Sequence, residues 1–81
     1  MNPKVLRLKI RPDYCLEVQF SDGQTRLFDT RPYLTRGVFK ALQDEAVFRT
    51  AHVVAGAVEW QGEIDLSHDT IYLNSTPLPQ P

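Results

Sequence analysis

Apolar and polar positions alternate along the first part of the chain with the period of two that marks a half-buried strand. In Lys4–Arg11, Leu6, Leu8 and Ile10 fall on one side and Arg7, Lys9 and Arg11 on the other. In the next run Tyr14, Leu16, Val18 and Phe20 alternate with Cys15, Glu17 and Gln19. Arg11-Pro12-Asp13 joins the two, proline permitting a turn but no central ladder position. The second run ends at Asp22-Gly23, a pair that tolerates the positive φ angles of a two-residue type I′ hairpin. Such a turn predicts Phe20 opposite Thr25, Val18 opposite Leu27 and Leu16 opposite Asp29. It puts Leu16, Val18, Phe20 and Leu27 on one face and Glu17, Gln19 and Arg26 on the other, with Glu17 facing Phe28. A slip of one residue would turn the apolar set toward water, so the pattern predicts a firm register.

The period changes after Asp29. Thr30-Arg31-Pro32 carries helix-start chemistry, and Leu34, Val38, Ala41 and Leu42 recur at helical spacing. Gly37 predicts a break between a one-turn helix and a second near Val38–Gln43, and Asp44-Glu45 opens a third short turn through Phe48. Phe39, Leu42, Val47 and Phe48 form the layer expected to lie on the sheet. His52–Trp60 (HVVAGAVEW) is β-branched and apolar and predicts a fourth strand, bent at Gly56, with Val54, Val58 and Trp60 on one face. Ile64-Asp65-Leu66 is short and extended. Ser67 then caps a short helix over His68–Asn74, from which Ile71 and Tyr72 pack back. Residues 75–81, STPLPQP, predict an exposed, mobile, polyproline-like tail.

These elements predict a single α+β domain over residues 1–74. It is a small four-stranded, mainly antiparallel sheet, an N-terminal meander with an Asp-Gly hairpin, covered on one face by short helices. A chain of 81 residues buries only about 60% of its extended surface, so one thin core is expected. No long apolar run or export signal is visible, and no membrane partner is expected. One cysteine excludes an internal disulfide and fits a reducing cytoplasm.

The formal charge of −1 conceals an asymmetry. Before residue 50, nine basic against six acidic residues leave +3; after it, four acidic residues and no Lys or Arg leave −4. The preferred reading is that the halves complement one another in the fold or across a dimer, with cross-strand pairing of the basic row to Glu17. The row Arg7, Lys9 and Arg11, with Arg26, is the candidate interaction surface. Trp60, the only tryptophan, is a further candidate anchor, although a place at the end of the core suits it equally.

No catalytic, cofactor or metal constellation emerges. Glu63, Asp65, His68 and Asp69 crowd seven residues but lack the glycine and alternation of a calcium loop and the ligand spacing of zinc, and turn and capping chemistry explains them better. If Asp65 has a special task, it is to accept backbone N–H bonds in its loop. Cys15 has no visible activating partner. Asp44-Glu45 are neighbours that point apart, and the glycines stand singly, so no phosphate-cradling loop is present.

The order of landmarks is informative. Phe20-Ser21-Asp22-Gly23, Phe28-Asp29, Gly37-Val38-Phe39 with Leu42-Gln43-Asp44, Phe48, Val58-Glu59-Trp60 and Ile64-Asp65-Leu66-Ser67 together resemble the small bacterial family known as domain of unknown function 2442. The likeness spans roughly residues 4–74. One departure is His68, where the family often has proline. The resemblance implies a compact α+β domain with no assigned enzymatic activity and no catalytic residues to carry over. It also implies genomic company: some relatives are fused to a helix-turn-helix domain, others are encoded beside small proteins suspected of toxin–antitoxin roles. The leading functional expectation is therefore a non-enzymatic protein-interaction module without cofactors, an antitoxin-like partner of a neighbouring small protein or of a second copy of itself. The competing expectation is a nucleic-acid-binding or regulatory accessory domain using the basic sheet face. It is less favoured because no exposed aromatic run accompanies the basic row.

Overall fold

The computed structural model describes residues 2–79. Strands β1 (Val5–Arg11), β2 (Cys15–Phe20) and β3 (Thr25–Asp29) form the N-terminal antiparallel meander. The register of its hairpin differs by one residue from the expectation: Gln19 faces Thr25, Val18 faces Arg26, Glu17 faces Leu27 and Leu16 faces Phe28. The cause is local turn chemistry. The Gly23 N–H donates to the Phe20 carbonyl (3.0 Å), and the Phe20 N–H donates to the Gln24 carbonyl (2.9 Å). The Asp22 carboxylate accepts the Gln24 N–H (2.9 Å), and Gly23 sits at φ +90°. This is a three-residue loop closed by a bulge at the left-handed glycine, not the two-residue turn. The shift takes Phe28 into the core, moves Leu27 to the solvent side beside Glu17, and carries Arg26 to the inner side beside Val18.

A second irregularity lies in β1, where the ladder to β2 shifts between Val5 and Arg7. The bulge buries Val5 and leaves Leu6 54% exposed, so only Leu8 and Ile10 of the expected apolar trio pack inward. At the other end of β1 the link to β2 runs through Asp13 and Tyr14, both near φ +60°. These unfavourable conformations are held from outside. The Tyr14 carbonyl accepts both the N–H (3.0 Å) and the hydroxyl (2.7 Å) of Thr30, which is fully buried. The Tyr14 hydroxyl donates to the Gln43 carbonyl (2.6 Å), and its ring meets Phe48 edge-on.

The segment after β3 forms the expected series of short turns: 3-10 helices at Arg31–Tyr33 and Gly37–Gln43, then α1 (Glu45–Phe48). Asp44 caps α1 by accepting the Ala46 N–H (3.0 Å). Each turn delivers apolar groups to the inner face of the meander. Tyr33 lies against Phe28, Phe39 against Tyr33, and Leu42 and Phe48 are buried.

His52–Trp60 is not one strand but two. β4 (His52–Val54) and β5 (Ala57–Trp60) fold back on Ala55-Gly56, with φ +50° and +82°, a two-residue hairpin with the positive angles of type I′. The reversal changes which residues share a face: Val53 pairs with buried Val58, while Val54 is exposed. β6 (Ile64–Leu66) completes a separate three-stranded sheet, β4-β5-β6. The two sheets meet where the Val5 N–H donates to the Gly56 carbonyl (2.9 Å). A Cβ at Gly56 would lie 2.9 Å from that of Lys4, so the contact requires glycine there.

Ser67 caps α2 (His68–Leu73) as expected, accepting the Thr70 N–H (3.3 Å). Ile71 is buried and Tyr72 meets Phe20 edge-on. The proline-rich end then supplies β7 (Thr76–Pro77), the fourth strand of the first sheet, in the order β1-β2-β3-β7. It is antiparallel to β3, and the Leu78 N–H donates to the Thr25 carbonyl (2.9 Å). The start of the predicted free tail is thus hydrogen-bonded, in an edge position that proline tolerates. Residues 80 and 81 lie outside the described part. The α+β class holds, but as two sheets: the fourth strand comes from residues 76–77, and the 52–66 region builds a sheet of its own. Leu16, Val18, Phe20 and Phe28 from one sheet and Val58, Trp60 and Ile64 from the other share a single core with Leu42, Phe48 and Ile71.

Candidate interaction surfaces

Because both sheets turn one face to the common core, their other faces meet solvent. On the first sheet the alternation of β1 beyond its bulge places Arg7, Lys9 and Arg11 in an exposed row opposite Gln19, Glu17 and Cys15. Lys9 stands directly across from Glu17, yet the expected ion pair is not formed. The ion pair among the described residues is Arg31–Asp29; His68 Nδ1 also lies 3.6 Å from Asp69, a charged contact only when the imidazole is protonated. Two shallow grooves that share Glu17 run along this face. One, of about 190 Å³, lies among Arg7, Leu8, Lys9, Gln19 and Thr25. The other, of about 330 Å³, is lined by Arg11, Pro12, Asp13, Cys15, Leu27, Arg31 and Leu78. The surface is thus basic along one border and apolar where Leu27 and Leu78 lie, and no aromatic ring lines either groove. Sequence reasoning missed Leu27 as a lining residue because the assumed hairpin register had buried it.

Arg26 does not belong to this row. On the inner side of β3 its guanidinium lies 4.5 Å from the centre of the Tyr72 ring. It donates to the Ser75 hydroxyl (2.7 Å), the Ser75 carbonyl (2.7 Å) and the Gln24 side-chain oxygen (2.8 Å). The Tyr72 hydroxyl donates to Asp22 (2.9 Å) and accepts from Gln24 (3.0 Å). The Asp22 carboxylate holds that hydroxyl proton and pushes the tyrosine above its ordinary pKa, with burial adding to the effect. The cluster joins the first hairpin to α2 and the start of β7. No short-range pattern signals it, since its members lie about fifty positions apart. Trp60 is 1% exposed and sits in the core, its indole N–H without a hydrogen-bond partner among the described residues. Of the five candidate residues, only Arg7, Lys9 and Arg11 share one surface.

The remaining chemistry-bearing groups do not converge. The Cys15 thiol donates to the Asp13 carbonyl (3.6 Å), and burial, then the nearby Asp29 carboxylate, pushes its pKa up, the opposite of nucleophile activation. Asp29 itself is held below the usual carboxylate range, chiefly by the hydrogen bonds from Arg31, whose guanidinium grips both oxygens. His52 Nδ1 lies 2.8 Å from the Thr50 carbonyl and His68 Nδ1 3.2 Å from that of Pro3. Asp69 accepts from Asn2 (3.0 Å), whereas Asp65 is exposed opposite Glu59 and accepts no backbone N–H among the described residues. Among the described residues, no three His, Cys, Asp or Glu side chains gather at a common point. Among the described residues no helix is long and apolar enough to cross a membrane.

Fold and surface together define a small two-sheet α+β domain whose distinctive feature is an exposed basic row on β1 that forms no ion pair among the described residues. The chain belongs to the family described as protein of unknown function (DUF2442), whose model matches residues 5–77. The match runs from the first residue of β1 to the last of β7, so the tail strand belongs to the family domain. No curated protein and no solved structure matches the chain.

Proposed function

We propose that this domain is a non-enzymatic protein-interaction module of the reducing cytoplasm, binding an acidic surface or segment of another protein through the outer side of its first sheet. The observation that carries the reading is the row Arg7, Lys9 and Arg11, exposed along one strand and engaged in no ion pair among the described residues. Exposed cations of one sign steer an oppositely charged partner and suppress wrong ones. Leu27 in the adjoining groove offers apolar area to a docked chain. An antitoxin-like role beside a neighbouring small protein, which the family resemblance implies, is one form of this module.

Full-length tagged protein expressed in its native host tests the proposal. One reproducible partner should co-purify at low salt and be released as salt rises, because exposed charge contacts are screened. Absence of any reproducible partner would refute it. Nucleic-acid binding is the competing reading of the same row. The absence of aromatic rings from both grooves weighs against single-strand recognition, which depends on base stacking. A gel shift with DNA and RNA at low salt decides between them.

A further inference from the structure

Resting on the interaction-module reading, we infer that the free edge of β1 is a strand-addition site for an extended segment in which acidic and apolar residues alternate. β1 ends its sheet: it pairs with β2 on one side only, and on the other its single hydrogen bond among the described residues is that from Val5 to Gly56. β4 also packs near β1, but from Leu6 to Arg11 the outward backbone groups make no backbone hydrogen bond on that side among the described residues and so offer an unused ladder. A strand laid antiparallel along them would alternate its side chains between the two faces of the sheet. Those on the outer face would neighbour Arg7, Lys9 and Arg11, none of which has a charge partner among the described residues. Those on the inner face would cover Leu8 and Ile10, both only partly buried. Backbone pairing sets the geometry, and side-chain alternation sets the specificity.

The same charges define what the edge excludes. A second copy of β1 paired across this edge would bring two rows of like charge together, which cross-strand pairing disfavours. The basic row thus blunts self-association and leaves the edge selective for a strand of opposite sign. Homodimerisation through the edge of β1 is opposed by this charge pattern.

Two soluble peptides test the inference by titration into the isotopically labelled full chain. One alternates glutamate with valine and threonine; the other has lysine in place of glutamate. The glutamate peptide should slow hydrogen exchange at the amides of Leu6–Arg11 and bind about tenfold or more tightly than the lysine peptide, the combined effect of several cross-strand charge pairs. The double variant Arg7→Glu/Arg11→Glu changes only exposed side chains and should invert the preference. Equal binding of the two peptides, or of neither, would overturn the inference, as would perturbations confined to β6 or β7. The two proposals fail separately. A host partner that is lost from the double variant, while neither peptide slows exchange at Leu6–Arg11, removes the β1 strand-addition site and leaves the module reading standing. Absence of both a host partner and peptide binding removes both.

Discussion

Exchanging the roles of Leu27 and Phe28 is the most direct test of the hairpin. Phe28 is fully buried on the inner face opposite Leu16, with its ring centre 5.7 Å from that of Tyr33. Leu27 is half-buried on the solvent side opposite Glu17. Truncating a buried phenylalanine to alanine costs about 3–5 kcal/mol, the transfer term plus the cavity left behind. A domain of this length has total stability on the order of 4–12 kcal/mol, so Phe28→Ala should approach loss of the fold. Phe28→Leu keeps most of the volume and should cost about 1–1.5 kcal/mol, lowering the melting temperature by roughly 4–12 °C. Leu27→Ala removes atoms that already face water on one side, leaves no closed cavity, and should cost about 1 kcal/mol or less. Urea and thermal unfolding followed by circular dichroism measure all three. The two-residue turn reverses the order, because it buries Leu27 and exposes Phe28. A larger loss for Leu27→Ala than for Phe28→Leu would therefore refute the three-residue loop and everything built on its register.

Four further outcomes follow from particular contacts. Ala55 sits at φ +50° in the second hairpin, so Ala55→Asn should raise stability by about 0.5–1 kcal/mol. Gly56→Ala should lower it by more than about 1 kcal/mol, from positive φ and the 2.9 Å approach to Lys4, and urea midpoints check both. Arg26→Met removes the hydrogen bonds to Ser75 and Gln24 and should cost about 1–2 kcal/mol. It should also loosen β7 first, read as faster amide exchange at Leu78; unchanged exchange there would show that Arg26 does not hold the strand. Arg31→Ala should return the Asp29 carboxyl toward its ordinary range, measured by carboxyl titration in nuclear magnetic resonance. Because Asp29 is lowered in the folded state, the pair's stabilisation is present above the unfolded value of about 4 and is lost as pH falls through the lowered one. Wild type and variant should therefore differ at pH 7 and converge in strong acid.

Local pattern settled much of the molecule. The period of two in residues 4–20 determined the first two strands and the basic row, because side chains on a pleated strand alternate whatever surrounds it. Proline at 32, glycine at 37 and aspartate at 44 divided residues 31–48 into three short turns, since each acts on its own stretch of backbone. Ser67 marked the start of α2 for the same reason. What local pattern left undecided was every choice between near-equal backbone alternatives. Asp22-Gly23 suits a two-residue and a three-residue loop alike, and the selection goes to the one that buries Phe28 with Leu16 and lets Tyr72 and Arg26 close over the hairpin. Ala55-Gly56 reads as a bend until Val53 and Val58 are seen facing one another. Thr76–Pro77 looks like a free tail because its pairing partners, Arg26 and Leu27, lie about fifty residues earlier. Long-range pairing is a property of the assembled core, where burial outweighs weak local preference, and only the folded chain shows which edge was left open.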